Sequence, residues 1–292
     1  MVLIDGKEVA KTIKEEISQE VRNAEARDIR RPCMGALIVG HDGGSEAYIA
    51  NLKKTCDAVG VNLHLIRLEE GISEQELLDE IIFLNGNPEI DGYIIQFPLP
   101  KHIDSQKVIE HIEPNKDMDG MHPFNVGRMI IGLDSNRPAT PSSVIELLRR
   151  YEIPTKGKHA VVIGRSDVIG KPVANMLLQK SYPGDCTVTV CHSRTENIEE
   201  ICREADILIA ALGRPGFVTE NMVKEGAVVI DVGTTRVKDD SKKSGWALKG
   251  DVDFEAVAPK ASYITPVPGG VGPVTVCCLL LNLMKAWRNN VQ

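Results

Sequence analysis

No apolar run in this 292-residue chain reaches the roughly 18 residues needed to cross a bilayer. No membrane-spanning helix is therefore expected. Lysine and arginine never cluster beyond short pairs, and the net charge is −7. That leaves no electrostatic footprint for nucleic acid. Cysteine is scarce and scattered: seven residues, an odd number, with no C-x-x-C pair. The pattern excludes a disulfide scaffold and reads as reduced thiols of a cytosolic protein, most of them packing residues. No two histidines stand at H-x-x-x-H spacing, so no metal site is expected. The opening MVLIDGKEVAKTIKEEI reads as a short strand and a charged helix rather than a signal peptide. No internal repeat or low-complexity tract is present.

What the chain does have is length for two modest domains and a regular alternation of patterns. Apolar runs at 32–40, 62–68 and 90–96 read as strands, separated by helical patterns at 46–59 and 73–84. A further helix is expected at 103–113. The polar segment PNKDMDGMHPFNVGRM then reads as a long functional loop. Another helix is expected from Pro141, and runs at 160–163, 186–191, 206–212 and 227–232 read as further strands. Such alternation predicts βαβ units and parallel sheets, an α/β fold.

The chain is organised around HAVVIGRSDVIGKPVANMLLQK, residues 159–180. Ala160–Ile163 reads as a buried strand, Gly164 ends it, and Pro172 is placed to open a helix. A strand–glycine turn–helix unit aims free backbone N–H groups and a positive helix end at one point, which suits a phosphate. The spacing is not the usual G-x-G-x-x-G of dinucleotide sites, because RSDVI separates Gly164 from Gly170. The next strand ends in His192–Ser193–Arg194–Thr195, where an NAD site would carry a carboxylate for the ribose 2′-hydroxyl. A hydroxyl and an arginine there lean towards NADP and leave NAD open.

Nine motifs then stand in order. They are S-x-x-Y at Ser45–Tyr48, DGYIIQFPLP at Asp91–Pro100, KDMDGMHPFNVGR at Lys116–Arg128, and RPATP at Arg137–Pro141. VIGRSDVIGKP follows at Val162–Pro172, TVCHSRT at Thr189–Thr195, DVG at Asp231–Gly233, GDV at Gly250–Val252, and PVPGGVGPVT at Pro266–Thr275. Together they make the chain resemble the methylenetetrahydrofolate dehydrogenase/cyclohydrolases, over nearly its whole length.

The resemblance implies two α/β domains with a cleft between them: a folate-site domain at 1–139 plus 270–292 and a Rossmann-like NAD(P) domain at 140–269. It implies NADP-dependent oxidation of 5,10-methylenetetrahydrofolate, a cytoplasmic location, a homodimer, and tetrahydrofolate substrates. Tyr48 is expected to stack on the substrate, Gln96 to sit at a strand's C-terminal end, and Asp119 to accept pterin N–H bonds. Asp117 reads as structural. Pro268 to Gly272 would let backbone approach the folate. Gly164, Arg165 and Ser166 are expected at the cofactor phosphates, Ser193 and Arg194 at the 2′-phosphate, and Thr234 at the nicotinamide end.

One departure stands out. The family pattern is Y-x-x-x-K, with a catalytic lysine, but the fourth residue after Tyr48 is Leu52. Lys53 is turned about 100° further round a helix. The expectation is a dehydrogenase whose cyclohydrolase step is absent or very weak. The alternatives are a fully bifunctional enzyme using Lys53, Lys54 or another base, and an inactive nucleotide-binding regulatory protein. A loop of about four extra residues near Tyr182–Asp185 is expected to alter the adenosine pocket.

Overall fold

The computed structural model describes residues 1–40, 43–242 and 245–291. In chain order the elements are β1 (Val2–Leu3), α1 (Gly6–Glu25), β2 (Cys33–Val39), α2 (Gly43–Val59), β3 (Asn62–Leu68), α3 (Glu74–Gly86) and β4 (Gly92–Ile95). There follow α4 (Ser105–His111), α5 (Pro123–Ile130), α6 (Ala139–Arg150), β5 (His159–Ile163), α7 (Gly170–Leu178), β6 (Thr187–Cys191), α8 (Ile198–Arg203) and β7 (Ile207–Ala210). The chain ends with β8 (Val228–Asp231), β9 (Thr235–Lys238), β10 (Trp246–Lys249), α9 (Phe254–Val257), β11 (Tyr263–Ile264) and α10 (Val271–Val291). It forms two compact units: Met1–Ala10 with Thr140–Thr275, and Lys11–Ala139 with Val276–Gln292.

The unit of residues 11–139 and 276–292 is built on a parallel sheet in the order β3-β2-β4. β2 is the central strand and its middle five residues, MGALI, are buried, as a strand covered on both faces requires. One cluster joins Leu37, Tyr93 and Ile95 of the sheet to Leu77, Leu78, Ile81 and Leu84 of α3. α3 starts with a capping box, Ser73 accepting from the Glu76 N–H while Glu76 accepts from the Ser73 N–H. Asp91 ties three segments together: it takes a bidentate ion pair from Arg30, accepts the Cys33 N–H at 2.9 Å, and accepts Asn290 Nδ2 at 2.9 Å. The segment read as one long loop contains α5, which His122 caps by accepting the Phe124 N–H. Its short length and two prolines nearby hid it from periodicity.

The other unit is a six-stranded sheet in the order β1-β11-β8-β7-β5-β6, all pairs parallel. β1 pairs with β11, and residues 1–10 belong to this unit rather than to that of the β2 sheet. Buried Val161, Ile163, Leu208, Ala210 and Val229 carry its core. β9 and β10 form a separate antiparallel hairpin. α7 begins at Gly170, two residues before Pro172. The proline still lies in the first turn, where a missing N–H costs nothing. α10 begins at Val271, inside the PVPGGVGPVT motif.

The Tyr182–Asp185 loop does not lie where the adenosine pocket was expected to be affected. Its Gly184 N–H donates to Thr155 Oγ1 at 2.9 Å, and the Asp185 carbonyl accepts from Gly157 at 2.8 Å. These partners precede β5, so the loop packs at the strand starts. Ligands of a parallel sheet collect at the opposite, carboxyl ends.

Candidate functional site

The Asp119 loop is held from several sides while the Asp119 carboxylate is left unused. Asp117, buried, accepts the Gly120 N–H at 2.9 Å, the His122 N–H at 2.8 Å and Asn125 Nδ2 at 2.9 Å. It is structural, as the sequence suggested. Met118 is buried against Gly92, where an added Cβ would come 2.4 Å from Met118 Cε. Asn282 Nδ2 donates to the Met118 carbonyl at 2.8 Å and to the Arg137 carbonyl at 2.9 Å, and Asn136 Nδ2 donates to the Asp117 carbonyl at 3.0 Å. Gly120 has φ +67° and sits against Arg137, so a side chain there would be strained and would clash.

Asp119 itself accepts no hydrogen bond from a described residue. Burial raises its carboxyl to about 7, and the charge of Asp117 adds to the rise. Asp119 in turn lies near enough to Tyr48 for its charge to act on that phenol. Tyr48 is shifted well above its ordinary range, first by burial and then by Asp119. A half-buried ring thus lies within electrostatic reach of a carboxyl that accepts no hydrogen bond from a described residue. Such a pair can stack on a flat heterocycle and accept its N–H groups. Gln96 follows the end of β4, its N–H bound to the Leu37 carbonyl and its side chain donating to the Phe97 carbonyl at 2.9 Å. Its side-chain oxygen accepts no hydrogen bond from a described residue.

α2 shows what surrounds Tyr48. Ile49, Leu52, Cys56 and Val59 are buried at helical spacing, and Leu52 is 0 % exposed. Lys53 points away: its side chain is 61 % exposed and pairs with Asp57 at 3.2 Å. Lys54 is exposed too. Ser45, the other end of the S-x-x-Y motif, lies outside the residues whose side chains are described.

In the other unit, the β5–α7 turn is made by two glycines facing each other. Gly164 has φ +127°, and a Cβ there would come 2.1 Å from the Ala211 carbonyl oxygen. A Cβ on Gly170 would come 2.2 Å from the Gly164 carbonyl oxygen. The backbone crosses where no side chain fits, which accounts for glycines at an unusual spacing. Arg165 and Ser166 are exposed on this turn, and Ser166 Oγ accepts the Ile169 N–H at 3.2 Å. Ser193 and Arg194 are exposed just past β6, the strand beside β5, with the Arg194 N–H donating to His192 Nδ1 at 3.1 Å. No carboxylate intervenes between them and the strand end. A dinucleotide's pyrophosphate fits the bare turn, and a 2′-phosphate fits the arginine.

Thr234 is exposed immediately before β9. Pro268 and Gly272 are exposed in this same unit, and a Cβ on Gly272 would meet nothing within 4 Å. Gly269 has φ +112°, a Cβ on Gly270 would come 2.7 Å from the Pro266 carbonyl oxygen, and a Cβ on Gly6 would fall directly on the Gly270 carbonyl. Asn282, Asn136 and Asp251 were not singled out as site residues. Asn282 sits in an apolar helix, where nothing local marks it. Asp251 lay within the GDV motif.

Residues 4–119 match the tetrahydrofolate dehydrogenase/cyclohydrolase catalytic domain, and residues 138–291 match the NAD(P)-binding domain of the same family. The chain belongs to the tetrahydrofolate dehydrogenase/cyclohydrolase family. A relative from Porphyromonas gingivalis named bifunctional protein FolD is 57 % identical over 284 residues, 97 % of this chain and 96 % of that one. Another of the same name, from Bacteroides thetaiotaomicron, is 57 % identical over 291 residues, 100 % of this chain and 99 % of that one. Among solved structures, the Trypanosoma brucei N5,N10-methylenetetrahydrofolate dehydrogenase-cyclohydrolase superimposes with a TM-score of 0.93 at 42 % identity. The match covers 100 % of this chain and 98 % of that one, which is described as complexed with NADP cofactor and inhibitor.

Proposed function

We propose that this chain oxidises 5,10-methylenetetrahydrofolate with NADP. The observation that carries the reading is the Tyr48 ring on α2 within electrostatic reach of Asp119, whose carboxyl sits on a braced loop and accepts no hydrogen bond from a described residue. Tyr48 stacks on the pterin and aminobenzoyl groups, and ionised Asp119 accepts the pterin amino and ring N–H groups. Gln96 adds a polar contact at the strand end. Gly164, Arg165 and Ser166 hold the cofactor phosphates, Ser193 and Arg194 the 2′-phosphate, and Thr234 the nicotinamide end. NADP, when bound, supplies a hydride acceptor. The residues contribute proximity and orientation, since the substrate's own nitrogens stabilise the cation left behind. Pro268 and Gly272 give the folate a close backbone surface. The homodimer and the cytoplasmic location rest on the resemblance, and size-exclusion chromatography tests the first.

For the second step, hydrolysis of the methenyl product, the relatives' shared name supports the bifunctional reading over the expectation of a lost cyclohydrolase. One observation supports the loss. Leu52, which the resemblance sets at the position of the family's catalytic lysine, is fully buried, while Lys53 and Lys54 face solvent. A bifunctional enzyme must then use another group. The experiment is to supply methenyltetrahydrofolate in a weakly nucleophilic buffer and follow its decay with and without protein. Decay well above background establishes the bifunctional reading, and decay at background establishes the loss. The regulatory-protein reading has no observation of its own, because the ring, the carboxylate and the cofactor turn are all intact.

A further inference from the structure

The carboxyl ends of β7 and β8 are held by two buried aspartates that the reaction does not use. Asp251 is 0 % exposed. It accepts three successive backbone N–H groups from the loop after β7: Leu212 at 2.5 Å, Gly213 at 2.9 Å and Arg214 at 2.7 Å. Beneath it, Asp231 accepts the N–H groups of Asp251 at 3.0 Å, Val252 at 2.9 Å and Gly233 at 2.9 Å. The two neighbouring glycines make room for this pair. A Cβ on Gly233 would come 2.3 Å from Asp251 Cγ, and one on Gly250 would come 1.9 Å from Asp231 Oδ2. The DVG and GDV motifs are therefore one device, each glycine clearing space for the other motif's carboxylate.

The loop that Asp251 grips is part of the cofactor rim. It starts at Ala211, whose carbonyl lies against Gly164 of the phosphate turn. It also leaves β7 on the strand directly beside β5, at the edge where parallel sheets bind ligands.

We propose that Asp251, locked by Asp231, is a positioning residue of the NADP site: it fixes the Ala211–Arg214 rim before the cofactor arrives. The proposal rests on the reading of the Gly164 turn as the phosphate site. A carboxylate suits the task because it has only acceptors to offer. Asparagine at 251 would turn an amide N–H₂ towards backbone donors and release at least one of the three.

The test is direct binding of NADP+ by fluorescence titration, beside thermal melting, for wild type and Asp251→Asn. The expected result is a Kd raised about tenfold or more, measured well below the melting temperature, with kcat at saturating cofactor changed far less than KM. A Kd within twofold of wild type in a folded variant of lower Tm would reduce Asp251 to a structural role and overturn the proposal. Amide hydrogen exchange on wild type decides the matter even if the variant does not fold. The 212–214 amides are expected to be protected without NADP+; rapid exchange that slows only when NADP+ is added would overturn it. A wild-type protein that binds neither NADP+ nor NAD+ would instead sink the reading of the phosphate turn.

Discussion

Asp117 and Asp119 stand two residues apart in one braced loop, and the charge of the first helps raise the carboxyl of the second to about 7. Asp117 satisfies three donors of its own loop and of α5, whereas Asp119 accepts none from a described residue. The loop is thereby stiffened by one carboxylate so that the other can be offered to a ligand.

This relationship sets a pH dependence. Substrate N–H groups need the ionised acceptor, so kcat/KM for the folate should rise with pH and inflect near 7 through Asp119. Asp119→Ala should remove that inflection and weaken folate binding, with NADP+ binding kept. An unchanged profile in the variant would show that another group titrates.

The same shift has a cost in stability. The carboxyl binds its proton more tightly folded than unfolded, so its contribution to stability is full below about pH 4 and declines as pH rises to about 7. Asp119→Asn should therefore melt higher than wild type at pH 8 and about equally at pH 4. Because the residue keeps some exposure, the gain should be only about 1–2 kcal/mol. A variant that melts lower at both pH values would contradict this.

Leu52 sets the third expectation. A lysine at this buried position would be pushed towards neutrality by burial, as a proton-transfer group needs. If residue 52 limits hydrolysis, Leu52→Lys should speed enzyme-dependent decay of methenyltetrahydrofolate by about a hundredfold. A rate equal to wild type would show that the step does not depend on this residue.

The cofactor turn gives a fourth. Gly164→Ala places a Cβ against the Ala211 carbonyl at a φ that side chains disfavour. NADP+ binding should fall by more than tenfold while folate binding persists. Arg194→Ala, an exposed change, should weaken NADP+ more than NAD+. Equal losses for both cofactors would move the 2′-phosphate away from Arg194.

Much of this was legible in the chain. The buried strands around Gly164 and the capped start of α3 follow from apolar runs and turn residues, and Asp119 stood out in its polar segment. Less visible were features that depend on distant partners. β1 is two residues long and its pairing with β11 joins the two ends of a long stretch of sequence. Asn282 braces the Asp119 loop across 164 residues. The reciprocal fit of Gly233 with Asp251 emerges only when both strand ends are in place. The Tyr182–Asp185 loop leads into β6 and so lies at that strand's start, the end opposite the carboxyl edge where ligands collect.

The central claim is NADP-dependent oxidation of 5,10-methylenetetrahydrofolate. Its most direct test mixes purified protein with that substrate and NADP+ and follows the absorbance of the reduced nicotinamide. The expected result is reduction that requires the folate, proceeds with a higher kcat/KM for NADP+ than for NAD+, and falls sharply in Asp119→Ala. No folate-dependent reduction with either cofactor, from a folded protein that binds NADP+, would contradict it.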